Sequence, residues 1–363
     1  MMLAVPVVRK RFIDRDKLRQ YLKLQQGNTE LIPICGPEDL LLSDMLVQGR
    51  FRMRDKFFKD LARQLSPGLR DAFVLLSGLE THGAVKEAEV DPTMVARWFN
   101  DVLRLRFSRI KGHYLVVDHL LHTVDGIVGP AQFNMHNFAL LDTTEDILAR
   151  HSQVYNFAEA CVAGRELLLC YRQRKEYTRH KNVDYYRGIC VSNREGKGMT
   201  MRVASSIGWA GKYPGDAITQ VVNPPPVCGM AGPAQEKFSK CLAKAESLLP
   251  RRDVVSRRLQ ALSSTPLGVG GSEVEHKQRL KQLKNKLRYK LLDRSVVSKI
   301  IHQAVWGFGP QSVGQRASQK QLISRTLLNL FTALCYHARS LDVEPRQRCE
   351  VLALRLLEGK AKF

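Results

Sequence analysis

The chain has 363 residues, 44% of them hydrophobic and 25% charged, a balance that excludes wholesale disorder. Lys and Arg total 57 against 35 Asp and Glu, a formal net charge of +22. Such an excess adds nothing to a fold, but it attracts polyanions. No stretch approaches the roughly 18 uninterrupted apolar residues of a spanning helix, so no membrane partner is expected.

The first dozen residues carry a short apolar patch followed by Arg9, Lys10 and Arg11, the reverse of a secretory signal. Asp14 and Asp16 argue against a mitochondrial presequence, which is poor in acid. Residues 1–105 are expected to be mainly helical. Phe57, Phe58, Leu61 and Leu65 follow helical spacing, and Ser66-Pro67-Gly68 ends that helix. A second helix begins near Leu69. A third has Asp91 as N-cap and Pro92 in its first turn, then Met94, Val95, Trp98, Phe99 and Val102 on one face. A short strand follows at Gly112–Asp118, so residues 69–120 are compatible with a winged-helix-like unit.

Residues 106–222 are expected to hold a central antiparallel sheet. Glu166–Thr178 and Asp184–Asn193 are predicted strands, and the Gly-containing turn Arg194–Gly198 leads into Met199–Ala204 as a hairpin. Gly208–Pro233 is rich in Gly and Pro, and the linker and domain boundary are placed at 223–233. Residues 234–363 are expected to form a basic helical domain. From Arg251 onward there are 22 basic and 8 acidic residues, a net +14. The fold class expected is therefore α+β.

The densest basic run, Lys277–Lys290, has seven cations in fourteen residues: Lys277, Arg279, Lys281, Lys284, Lys286, Arg288 and Lys290. Leu280, Leu283, Leu287 and Leu291 form a narrow seam on the same helix, able to dock it on the domain. Lys277–Lys281 and Lys284–Arg288 are like-charge pairs at i,i+4, which repel unless a polyanion is present. Duplex DNA offers such a partner, with one phosphate charge per roughly 1.7 Å of axis. A second candidate surface interleaves rings and cations: Arg172, Arg174, Lys175, Tyr177, Tyr186 and Arg187, where bases would stack and cations follow phosphates. Tyr171 and Tyr185 are the strand residues expected to pack inward.

No enzyme signature is complete. Gly211-Lys212 lacks the Ser or Thr of a phosphate-binding loop, because Tyr213 follows. His113, Asp118, His119 and His122 do not fit one face of one element, and no metal or cofactor is predicted. Asp184 with Glu195 and Lys197 outlines a magnesium-dependent nuclease, since two carboxylates and a lysine can hold metal and activate water. The eight cysteines form no C-x-x-C pair, which suits a reducing, cytoplasmic setting with thiols used as small hydrophobes.

The string Gly188-Ile-Cys-Val-Ser-Asn193 and the helix Arg325-Thr-Leu-Leu-Asn329-Leu-Phe-Thr-Ala333 resemble parts of a group of uncharacterised phage- and plasmid-borne proteins. The resemblance covers under a tenth of the chain. It departs from the group where Ser206-Ile-Gly-Trp209 stands in place of a Cys-Asn segment. It implies a mobile-element protein in a bacterial cytoplasm and carries over no mechanism. The expectation is a non-catalytic nucleic-acid-binding protein, for DNA or RNA, with little base discrimination. The alternatives are a nuclease, or a structural subunit of a ribonucleoprotein or other oligomeric assembly. An acidic protein is the other partner that the basic run would suit.

Overall fold

The computed structural model describes residues 4–5, 9–43, 46–54, 57, 61, 65, 92–129, 136–150, 155–180, 183–195, 202–210, 215–222, 233–248, 251–268, 272–291, 294–306, 325–339, 341 and 343–360. These residues build a mixed α+β fold around two larger sheets.

The first sheet is mixed. Strands β1 (Ala4–Val5), β3 (Thr29–Pro33), β6 (Arg52–Arg54), β7 (Tyr114–Asp118) and β8 (Thr123–Val128) lie in the order β1-β6-β8-β7-β3. The pairs β1–β6 and β6–β8 are parallel, whereas β8–β7 and β7–β3 are antiparallel. Its core joins Met53, Leu115, Val117 and Val124 to Phe57, Leu61 and Leu65, the three residues of the expected 57–65 helix that lie among the described ones. Helix α2 (Pro92–Arg106) adds Phe99, Val102 and Leu103. Among the described residues the N-terminal region holds both helices and strands. The two-residue strands β4 (Leu42–Ser43) and β5 (Leu46–Val47) are too short for period-2 patterning to reveal. Strand β7 forms as expected, but residues 66–91 of the winged-helix-like unit lie outside the described residues.

The second sheet is antiparallel throughout. Strands β9 (Tyr155–Ala163), β10 (Glu166–His180), β11 (Val183–Arg194), β12 (Arg202–Ala210) and β13 (Gly215–Val222) follow one another as a meander, and β2 (Arg9–Phe12) caps the edge beside β9. The strands expected at 166–178 and 184–193 are present, as is the hairpin that follows them. No strand was predicted within the Gly- and Pro-rich stretch that begins at Gly208. Instead β12 runs through it to Ala210, and 215–222 is a full strand. Its alternation is blurred by the register shift opposite Ser205 and Ser206.

One face of this sheet (Leu167, Leu169, Tyr171, Ile189, Val191 and Val203) is covered by three helices. They are α1 (Arg15–Gly27), α3 (Asn137–Ala149) and α4 (Pro233–Ser247). Helix α1 shows why such elements form. Asp14 caps it by accepting from the Asp16 and Lys17 backbones at 2.9 and 3.2 Å, and Leu18 and Leu22, one turn apart, are buried.

The remaining helices, α5 (Arg252–Ser264), α6 (Glu273–Leu291), α7 (Arg294–Trp306), α8 (Leu327–Ala338) and α9 (Val343–Leu357), share one apolar cluster. That cluster reaches Tyr185 and Ile207 of the sheet, and Val351 of α9 packs on Cys161, Leu168, Cys170 and Cys190. The described C-terminal helices are therefore seated on the sheet, while residues 223–232 of the expected linker lie outside the described residues. Six of the eight cysteines are buried, as small hydrophobes would be.

Candidate nucleic-acid interface

Helix α6 starts at a reciprocal cap. The Ser272 backbone donates to Glu275 Oε2 and the Glu275 backbone donates to Ser272 Oγ, both at 3.3 Å. Its acidic residues, Glu273 and Glu275, both fall in the first turn, where the helix dipole favours them. The leucine seam docks as expected. Leu283 and Leu287 are buried in the helical cluster and Leu280 is packed against it.

The cations then divide by environment. Lys277 pairs with Glu273 at 2.9 Å, an exposed i,i+4 contact worth a few tenths of a kcal/mol. Arg279 donates to the Gly268 carbonyl at 3.1 Å. Lys281 and Lys286 are exposed, and Lys284 and Arg288 are half-buried beside the seam. Among the described residues, no carboxylate lies within ion-pair distance of any of these four. The helix includes Lys290, whose side chain lies outside the described residues. On neighbouring α5, Arg257 is matched by Asp253 at 3.1 Å and Arg258 by Glu358 at 3.8 Å.

The hairpin surface is less coherent. Arg172 stands opposite Gly188 in the β10–β11 register, so Arg187, next along β11, falls on the other side of the sheet. Arg187 faces the side of Tyr155, whose hydroxyl pKa is raised first by burial and then by Glu246, and lowered in part by Arg187. These two arginines do not form one surface. Tyr186 is half-buried and its register partners are Tyr177 and Gly208. The side chains of Arg174, Lys175 and Tyr177 lie outside the described residues. Tyr171 and Tyr185 pack inward as expected, and burial raises both hydroxyl pKa values.

The nuclease constellation is not assembled. Asp184 opens β11 and Glu195 follows its far end, roughly 35 Å away at 3.3 Å per residue. Glu195 is instead buried. It accepts from the Asn137 backbone and lies 3.5 Å from Arg165 Nη1; burial raises its pKa, and Arg165 only partly opposes this. Lys197 lies outside the described residues. Asp118 binds Arg165, and His119 meets Glu30 at 2.5 Å. Among the described residues no group of three or more His, Cys, Asp or Glu could hold a metal.

Two buried charge networks had no counterpart in the sequence reading. Arg165 occupies the two-residue β9–β10 loop after Gly164, whose φ of +59° suits the first position of a tight hairpin. Its guanidinium is 2% exposed and reaches Asp125 at 2.8 Å, Asp118 at 3.2 Å and Thr29 Oγ1 at 2.5 Å, while Arg54 holds the other Asp125 oxygen at 3.1 Å. This loop of the second sheet is thereby fastened to β7 and β8 of the first. In the second network, Glu159 of β9 receives Arg11, Arg339 and Arg346, the last at 2.9 Å, and Arg346 also donates to Glu350 at 2.7 Å. Partners lie up to 187 residues apart, so no local pattern could reveal them.

No family model matches the chain, no curated protein shows significant similarity to it, and no solved structure does. No described helix is long and apolar enough to cross a membrane.

Proposed function

We propose that the protein binds nucleic acid through phosphate contacts made by helix α6. The observation that carries this is the state of Lys281, Lys284, Lys286 and Arg288. They crowd one helix, and no carboxylate among the described residues neutralises them. Like charges at this spacing repel by a few tenths of a kcal/mol each, and a polyanion reverses the sign of that term while releasing its own counterions. The leucine seam holds the helix against the body, so its cations are presented on a fixed support. Lys277, Arg279 and Lys290 extend the rows, and Arg172 adds a cation from the sheet. The protein is read as non-catalytic and intracellular, and the phage and plasmid resemblance makes replication, recombination or packaging of a mobile element its setting.

Fluorescence anisotropy with labelled single-stranded DNA, duplex DNA and RNA tests the proposal at about 50 mM salt, where phosphate contacts are strongest. Saturable binding to at least one probe, weakening steeply as salt rises, is expected. No binding to any of the three would remove the function.

A further inference from the structure

From the side chains that α6 turns away from its seam, we infer that this helix reads base edges in the major groove of duplex DNA. The inference rests on the nucleic-acid-binding proposal and narrows it to one ligand. At about 100° per residue, Gln278, Gln282 and Asn285 fall in one narrow row, about 170° round the helix from the leucine seam. All three are exposed. One cation row (Lys277, Lys281, Lys284 and Arg288) stands roughly 100° to one side of the amides. The other (Arg279 and Lys286) stands roughly 80° to 90° to the opposite side.

Uncharged amides on the outermost line with cations on both flanks match a groove. The major groove is about 12 Å wide and admits a helix, and its two walls are phosphate strands that would meet one cation row each. At its floor, Gln and Asn can each form a bidentate pair with adenine N6 and N7. The steric requirement is met as well. Residues 272–279 are exposed except for half-buried His276, and seam burial begins only at Leu280, so the first turns project from the body. Both acids of the helix are occupied, Glu273 by Lys277 and Glu275 by the cap, and both lie in its first turn, before the amides. From Gln278 to Asn285 the helix rises about 10 Å, or roughly three base steps. Duplex RNA is disfavoured because its major groove is deep and too narrow for side chains to read.

Selection by the full-length chain from a pool of randomised DNA duplexes tests this. A short enriched motif containing adenines is expected. Gln278→Ala, Gln282→Ala and Asn285→Ala should each reduce the preference for the selected duplex over a scrambled one by roughly 5- to 150-fold. Affinity for the scrambled duplex and its salt dependence should stay unchanged, and circular dichroism should confirm that each variant folds. An unenriched pool from a protein that still binds scrambled duplex would overturn groove reading and leave phosphate binding standing. Binding confined to RNA or single strands would overturn it too. Loss of all binding by the unaltered chain would overturn both.

Discussion

Basic side chains are used in two opposite ways in this molecule: arginines in the interior and, on helix α6, mainly lysines at the surface. At Arg165 and around Glu159 arginine is buried among carboxylates and fastens elements distant in sequence. Along helix α6 the cations line the surface beside a leucine seam, and four of them have no carboxylate within ion-pair distance among the described residues. The difference teaches that a net charge of +22 is not spread evenly as a solvated coat. The two interior networks are balanced, five arginines (Arg11, Arg54, Arg165, Arg339 and Arg346) with five carboxylates (Asp118, Asp125, Glu159, Glu195 and Glu350), so the excess positive charge falls on the rest of the molecule. Interior pairs hold shape because each charge is costly without its partner. Exposed ones contribute little to stability and remain available for a ligand.

Breaking the interior side of this contrast should have the largest effect. Arg165→Met takes the guanidinium away from the buried carboxylates of Asp118 and Asp125, leaving Asp125 only its contacts with Arg54 and Thr123, and should cost about 3–5 kcal/mol in chemical denaturation. Leu287→Ala attacks the support of the exposed side. It opens a cavity under α6 and should cost about 2–4 kcal/mol, with a matching loss of nucleic-acid affinity as the helix loosens.

His337 sharpens the comparison with a third solution, a basic group buried in its neutral form. Burial, helped by the charge of Lys299, lowers its pKa from 6.5 to about 4. Because the folded value lies below the unfolded one, this contribution is full above about pH 6.5 and is lost as pH falls towards 4. The denaturation midpoint should decline across that window, and His337→Leu should flatten the decline. The smallest effect belongs to the exposed Glu273–Lys277 pair. Glu273→Gln should change stability by no more than about 0.5 kcal/mol, yet strengthen binding by freeing Lys277 for phosphate.

Much of the second sheet was legible because β10 and β11 are long and rich in Leu, Tyr, Ile and Val, with Gly164 before one and Gly196 and Gly198 after the other. The seam of α6 was legible for the same reason: four leucines at helical spacing need no distant partner to be recognised. Strands β4 and β5 were not, because two residues carry no period. Nor was β13, whose register shifts against β12. The boundary expected at 223–233 falls almost wholly outside the described residues, and the packing across it was not legible for a related cause. Proline and glycine mark a turn of the chain, but they do not say that Val351 will pack beside Cys170. Within the candidate site, the rows on α6 came from local periodicity, and the separation of Arg172 from Arg187 followed only once register was fixed. The networks around Arg165 and Glu159 depend wholly on tertiary pairing, so nothing in the neighbouring residues announced them.

The most direct measurement is the salt dependence of duplex binding by the unaltered chain and by a Lys281→Gln, Lys284→Gln, Arg288→Gln variant. If all three residues contact phosphate, the slope of log affinity against log salt should become shallower by roughly three units in the variant. An identical slope in the two proteins would contradict the assignment of the interface to this helix.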